Sequence, residues 1–129
     1  MFAPISPEVE RIGKAVLDAA FKVHTTLGPG LLESVYETCI AYELTQSGLR
    51  ALTQVALPVT YRGIKMDAGL RPDILVEECV IVELKSVDVM HPIFEAQLIT
   101  YLKLTRIRLG FLINFNVIHL KDGIKRIVV

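Results

Sequence analysis

A chain of 129 residues, about half of them apolar, is the size of one domain that can bury its own core. Its 14 Lys and Arg residues balance 14 Asp and Glu residues, which excludes a strong overall attraction to nucleic acid or to an anionic membrane. No stretch reaches the roughly 18 consecutive apolar residues of a membrane helix, and the start lacks a signal-peptide pattern. The sequence therefore predicts a cytoplasmic, single-domain protein with no membrane association.

Two helices are predicted in the first part of the chain. Ser6 and Pro7 supply an N-cap and a first helical residue, and apolar residues recur at helical spacing as far as residue 26. The segment 28–30, Gly-Pro-Gly, then ends this helix. A second helix is predicted to begin near residue 31 and to end at Gly48. Its predicted apolar face comprises Leu32, Val35, Cys39 and Tyr42.

The pattern changes to extended structure after residue 54. Strands are predicted over residues 55–61, 71–76 and 80–87, with turns at residues 62–63 and 77–79. A third helix is predicted over residues 90–105, and residues 109–115 have the continuous apolar run of a fully buried strand. A terminal hairpin is predicted from residues 118–120 and 124–129. This order indicates an α/β fold with a mixed central β-sheet flanked by α-helices.

Two charges interrupt the apolar strand at residues 80–85. Glu83 and Lys85 share one face of this strand, because side chains alternate between faces. If Asp73 on the preceding strand lies opposite Glu83, one face of the hairpin is wholly apolar and the other carries both carboxylates, whereas a slip by one residue mixes the faces. Opposed carboxylates about 5 Å apart at Cβ repel unless a cation lies between them. A divalent ion satisfies this need, and the alternative is an ordinary ion pair on a solvated sheet face.

Two motifs resemble a known nuclease superfamily. The segment Arg71-Pro72-Asp73, a spacer of nine residues and then Glu83-Leu84-Lys85 resemble the PD-(D/E)XK motif. Residues 30–36, GLLESVY, match the signature of the GxxExxY protein family, which is itself similar to PD-(D/E)XK nucleases. The resemblance covers nearly the whole chain. It implies that Asp73 and Glu83 bind a metal, Mg²⁺ or Mn²⁺, and that Lys85 positions the attacking water.

The same resemblance implies roles for residues on two helices. Nucleases of this superfamily often place a helix Glu near the metal, which makes Glu33 a candidate ligand, with Glu37 one helical turn further on. Tyr36 lies beside them and is a candidate substrate contact. Gln97 and Tyr101 match a Q-x-x-x-Y element whose Gln and Tyr approach the active site or its DNA. The alternatives are a solvated acid at a helix start for Glu33 and ordinary helix-surface positions for Gln97 and Tyr101.

The function implied by the resemblance is metal-dependent cleavage of DNA or RNA. Phe94 stands where members of the family often carry His, so a proton-transfer role at that position is absent here. The alternative is a nuclease-fold protein that binds or supports a larger assembly without catalysis, which the neutral overall charge favours. A homodimer is also predicted, because the apolar terminal strand at residues 124–129 has no following element to cover it.

Overall fold

The computed structural model describes residues 3–129, which form three helices and two β-sheets. The elements are α1 (Pro7–Leu27), α2 (Glu33–Gln46), β1 (Ala51–Thr53), β2 (Leu57–Tyr61), β3 (Ile64–Leu70), β4 (Ile74–Val76), β5 (Val80–Lys85), α3 (Pro92–Thr105), β6 (Leu109–Asn114) and β7 (Ile124–Val128). Five strands form the main sheet in the order β1-β4-β5-β6-β7, in which only β5 and β6 are parallel. Strands β2 and β3 pair as a separate hairpin. The predicted mixed sheet with flanking helices is confirmed.

Helices cover both faces of the main sheet. On one face, α1 and α2 pack against the even-numbered residues of β4 and β5 and the odd-numbered residues of β6, in one continuous apolar cluster. On the other face, Leu98 and Leu102 of α3 pack against Ile81 and Leu112. Because β5 and β6 are covered on both faces, they are apolar almost throughout. The exceptions in β5 are Glu83 and Lys85, both at its C-terminal end.

The second helix packs through a different face from the one predicted. Its buried residues are Tyr36, Ile40 and Leu44, which lie at spacings of four on one side of the helix. Leu32 precedes the first helical turn and is 74% exposed, and Tyr42 is 61% exposed. Two faces of α2 carry apolar side chains, and contacts with the sheet and α1 determine which face is buried.

The region between α2 and α3 contains five strands where three were predicted. Residues 51–53 were not predicted as a strand. In the structure they form β1, and Gln54, at φ 55°, separates them from β2. Residues 64–70 lack a clear alternation of apolar and polar side chains because nearly all of β3 is exposed. The register of β4 and β5 agrees with the prediction, since Ile74 lies opposite Val82 and Val76 opposite Val80.

The predicted terminal hairpin is wrong. Residues 118–120 form no strand, and Leu120–Gly123 is a short 3-10 helix. Strand β7 instead pairs antiparallel with β6. Gly123 permits this return, because a Cβ at that position would overlap the carbonyl oxygen of Asn114.

The pairing of β7 removes the argument for a homodimer. Ile127 is buried against the α3 side of the sheet, and Ile124 and Val128 pack against the opposite core. Lys125 and Arg126 form ion pairs with acidic residues on the helices. The apolar residues of the terminal strand are therefore covered within one chain, and the homodimer stays a prediction without that support.

Two further sequence-based expectations concern cysteines and membranes. Cys39 and Cys79 are both free and partly buried, which fits reduced thiols. Burial raises the pKa of the Cys79 thiol, which keeps it protonated and unreactive. No helix within residues 3–129 is both long and apolar enough to cross a membrane.

Candidate active site

The carboxyl groups of Asp73 and Glu83 meet where β4 begins beside β5. Asp73 directly precedes β4, whose first residue, Ile74, lies opposite Val82, the residue before Glu83. One carboxylate oxygen of Asp73, Oδ2, accepts a hydrogen bond of 2.8 Å from the backbone N–H of Leu84. Glu83 is only 5% exposed, and its carboxyl lies close enough to that of Asp73 for the two to interact electrostatically. The two acids therefore converge from adjacent antiparallel strands, as the hydrophobic pattern predicted.

The environment of Glu83 favours its neutral form. Burial raises the pKa of Glu83 to about 9, and the hydrogen bond and negative charge of Asp73 add to this rise, whereas Lys85 lowers it. At neutral pH this raised pKa favours a protonated Glu83 beside Asp73. Protonation of Glu83 relieves the repulsion between the two carboxyls, for which the sequence predicted a cation.

A second link joins Asp73 to α2 through Gln54. The amide nitrogen Nε2 of Gln54 donates to Oδ1 of Asp73 at 3.0 Å and to Oε1 of Glu37 at 2.7 Å. The backbone N–H of Gln54 also donates to the carbonyl of Asp73, at 3.0 Å. One amide nitrogen thus bridges two carboxylates. Gln54 was missed at the sequence level, because it belongs to no motif and its role depends on contacts far away in the chain.

Glu37, not Glu33, is the helix acid that contacts this cluster. Burial raises the pKa of Glu37, and the charges of Asp73 and Glu33 add to the rise, while the hydrogen bond from Gln54 opposes it. Glu33 is exposed at the first residue of α2. The structure therefore places Glu33 one helical turn away from the acid that Gln54 connects to Asp73.

The acidic cluster has suitable donors for a hard divalent ion, but they are engaged with one another. Within residues 3–129, no three His, Cys, Asp or Glu side chains form a preassembled metal site. The Gln54 amide lies between Glu37 and Asp73, and the raised pKa of Glu83 favours a proton on its carboxyl. Carboxylate oxygens are the ligands that Mg²⁺ and Mn²⁺ prefer. Loss of that proton and movement of that amide would release oxygens from three carboxyl groups.

Lys85 follows Glu83 on the same face of β5 but does not pair with it. Its Nζ lies 4.3 Å from the centroid of the Phe94 ring on α3, which is a cation–π contact. Lys85 forms no ion pair with any acid in the part of the chain that the structure describes, so the ordinary ion-pair alternative does not hold. Phe94 therefore positions the ammonium group of Lys85, and no carboxylate forms an ion pair with it in the described part of the chain.

A buried amide fixes the segment after Lys85. Asn114, opposite Lys85 on β6, accepts hydrogen bonds from the backbone N–H groups of Val87 and Asn116 and donates to the carbonyl of Val87. The hydroxyl of Ser86 donates to the carbonyl of Leu31 at 2.6 Å. Asn114 was not predicted, although a single polar residue near the end of an apolar run was a signal that could have identified it.

Three other predicted site residues form no hydrogen bond with the carboxyls in the part of the chain that the structure describes. Tyr36 is fully buried and stacks on Phe115, with 4.4 Å between ring centroids. Gln97 is exposed on α3, and Tyr101 is half-buried at the edge of the α3-side core. Among residues 3–129, no hydrogen bond connects Gln97 or the Tyr101 side chain to Asp73, Glu83 or Lys85. Their assignment to the site stays a prediction.

The burial of Tyr36 contradicts its predicted contact with substrate. Its hydroxyl donates to the carbonyl of Gly28 at 2.7 Å and accepts from the N–H of Leu31 at 3.1 Å, which closes the loop between α1 and α2. The GxxExxY tyrosine therefore has a structural role here.

We expect Tyr36→Phe to lower the free energy of unfolding by about 1–3 kcal/mol, because two partly buried hydrogen bonds to the backbone are lost. Urea unfolding would measure this change, with Tyr42→Phe as the exposed control. The affinity for nucleic acid should not change, and a selective loss of affinity in a stably folded Tyr36→Phe protein would contradict the structural role.

The fold and the site together define a class of protein. A mixed sheet with helices on both faces, which brings an Asp, a Glu and a Lys together at the ends of two central strands, is the arrangement of an α/β nuclease core. A model of the PD-(D/E)XK nuclease superfamily matches residues 10–127, and the chain belongs to this superfamily. No curated protein and no solved structure matches the chain.

Proposed function

We propose that the protein is a metal-dependent nuclease that hydrolyses phosphodiester bonds in DNA or RNA. The observation that carries this proposal is the convergence of Asp73 and Glu83, with Lys85 two residues further on, in a chain of the PD-(D/E)XK nuclease superfamily. Members of that superfamily generally use divalent metals. The motif at residues 30–36 supports assignment to the GxxExxY group. The proposed location of the protein is the cytoplasm.

In this proposal, Asp73 and Glu83 bind Mg²⁺ or Mn²⁺. Glu37 is the helix acid placed to complete the site, and Glu33 adds negative charge from one turn away. A bound divalent ion supplies Lewis acidity toward a phosphoryl oxygen and lowers the pKa of water. Lys85 orients the attacking water and stabilises negative charge that develops on the phosphate. Gln97 is proposed to act beside these groups and Tyr101 to contact the substrate.

A second candidate function is nucleic-acid binding without catalysis. The observation that favours it is the engagement of both Asp73 carboxylate oxygens by hydrogen bonds, from Leu84 and Gln54. In a noncatalytic descendant of a nuclease, such bonds would replace the metal permanently. The retention of Lys85 without a partner carboxylate favours the enzyme, because a structural site would be expected to neutralise it.

The test is cleavage of labelled single-stranded and double-stranded DNA and RNA in Mg²⁺, in Mn²⁺ and in EDTA. We expect cleavage that requires the metal and is lost in Asp73→Ala, with Asp122→Ala as the control at an exposed acid outside the site. Unfolding measurements would establish that Asp73→Ala is folded. Cleavage that persists in Asp73→Ala would assign the activity to a contaminant, and metal-independent binding with no cleavage of any substrate would favour the second candidate.

A further inference from the structure

The hairpin of β2 and β3 stands apart from the main sheet and begins and ends at the candidate active site. It is inserted between Gln54 and Asp73, the residues that form the hydrogen-bonded bridge described above. Leu57 and Leu70 pair at its foot and are half-buried and buried, respectively, and every residue from 60 to 69 is exposed. At about 3.3 Å per residue, the seven residues of β3 span about 23 Å. The hairpin therefore extends from the acidic cluster into solvent.

The exposed end of the hairpin combines apolar and cationic side chains. Tyr61 and Ile64 pair across the strands, and each is 62% exposed. Met66 lies on the same face and is 40% exposed. The guanidinium of Arg62, in the turn, lies 5.7 Å from the centroid of the Tyr61 ring. Such large apolar side chains lose free energy by facing water, so their exposure at the tip indicates a partner.

The charge of this segment identifies the chemistry of that partner. The range 57–71 contains three basic residues, Arg62, Lys65 and Arg71, and one acidic residue, Asp67, although the chain as a whole is neutral. None of the three cations takes part in an ion pair within the described residues. Unpaired cations beside an exposed aromatic ring suit a polymer that offers both phosphates and unpaired bases.

We propose that this hairpin binds unpaired nucleotides of the nucleic acid held at the Asp73–Glu83 site. Tyr61 provides a stacking surface for a base, and Arg62 and Lys65 contact phosphates. This inference rests on the proposed function for the position of the strand. The foot of the hairpin adjoins the acidic cluster. The nucleotides that contact the hairpin are therefore those next to the scissile phosphate.

Fluorescence anisotropy with labelled single-stranded and duplex oligonucleotides, in EDTA so that no cleavage occurs, tests the proposal. Tyr61→Ala should weaken the binding of single strands about 10-fold, and Tyr61→Phe should retain it, because the stacking surface remains. Arg62→Ala should weaken binding and reduce its salt dependence. Tyr42→Ala, at a tyrosine of equal exposure on α2, is the matched control and should bind like wild type. Melting temperatures should stay near that of wild type, since Tyr61 is outside the core.

Equal affinities of wild type, Tyr61→Ala and Tyr42→Ala for single strands would overturn the proposal. A hairpin that instead joins two copies of the chain would lower the mass measured by light scattering in Tyr61→Ala without changing nucleic-acid affinity, which also overturns it. Binding in EDTA is independent of catalysis, so the two proposals can fail separately. Binding that depends on Tyr61, without cleavage, would support the hairpin proposal and contradict the nuclease proposal. Cleavage by wild type, with unaltered binding in Tyr61→Ala, would support the nuclease proposal and contradict the hairpin proposal.

Discussion

The free energy of unfolding of the metal-free protein should fall as the pH rises from about 5 to about 9, and Glu83→Gln should remove most of this fall. The pKa of Glu83 is raised from its ordinary value of 4.5 to about 9 in the folded chain. Between these two values the folded state holds a proton that the unfolded state has released. The stabilisation is complete below the unfolded pKa and is lost as the pH rises through the folded pKa, by up to about 1.4 kcal/mol for each pH unit.

Glutamine is an informative replacement at position 83, because it keeps a hydrogen-bond donor toward Asp73 and is neutral at every pH. Urea unfolding in EDTA between pH 5.5 and pH 9 would compare wild type, Glu83→Gln and the exposed control Glu78→Gln. Wild type and Glu78→Gln should lose stability in parallel, while Glu83→Gln should change much less. A slope in Glu83→Gln equal to that of wild type would show that other groups cause the pH dependence.

Mn²⁺ or Mg²⁺ should raise the melting temperature of wild type and should not raise that of Asp73→Asn. An ion that binds only the folded state stabilises it by about 2.7 kcal/mol at a concentration of 100 times Kd. Asp73 is central to the cluster, because it contacts both Glu83 and, through Gln54, Glu37. Asparagine can keep the hydrogen bond from Leu84 but offers one carboxylate oxygen fewer to a metal.

The response to metal should also depend on pH. Metal binding must displace the proton of Glu83, so the increase in melting temperature should be larger at pH 8 than at pH 6. Without metal, Asp73→Asn should be as stable as wild type near pH 6 and more stable near pH 9, where the two carboxylates of wild type repel. Asp67→Asn is the matched control at an exposed acid. An equal metal response in Asp73→Asn and wild type would place the ion elsewhere.

Local signals were sufficient for the ends of two helices and for one strand pairing. Ser6 and Pro7 define the start of α1 as predicted, and α3 begins at Pro92, two residues after its predicted start at residue 90. The pairing of β4 with β5 follows from the alternation of side chains, because only one register separates the apolar face from the charged one. The positions of Asp73 and Glu83 could therefore be predicted from neighbouring residues alone.

The features that were missed depend on residues far apart in sequence. Contacts with α1 and the sheet determine which face of α2 is buried. Apolar or aromatic residues occur on both faces, with Ile40 buried and Val35 and Tyr42 exposed. The partner of β7 is β6, and not the adjacent segment, because Gly123 lets the chain return closely. Gln54 has no local signal at all, since its amide acquires a role only when Glu37 and Asp73 are brought to it.

The bond between the Gln54 N–H and the Asp73 carbonyl closes the main sheet before the hairpin begins. Changes in the length of the segment between them leave the alignment of β4 on β5 intact, and with it the spacing of the two central carboxyls. The length of the exposed hairpin can therefore vary without changing the distance between the carboxyls of Asp73 and Glu83. An engineer could exchange the exposed residues 60–69 for a shorter or longer segment to alter which polymers are engaged, while keeping the buried foot of the hairpin and the carboxyls beside it.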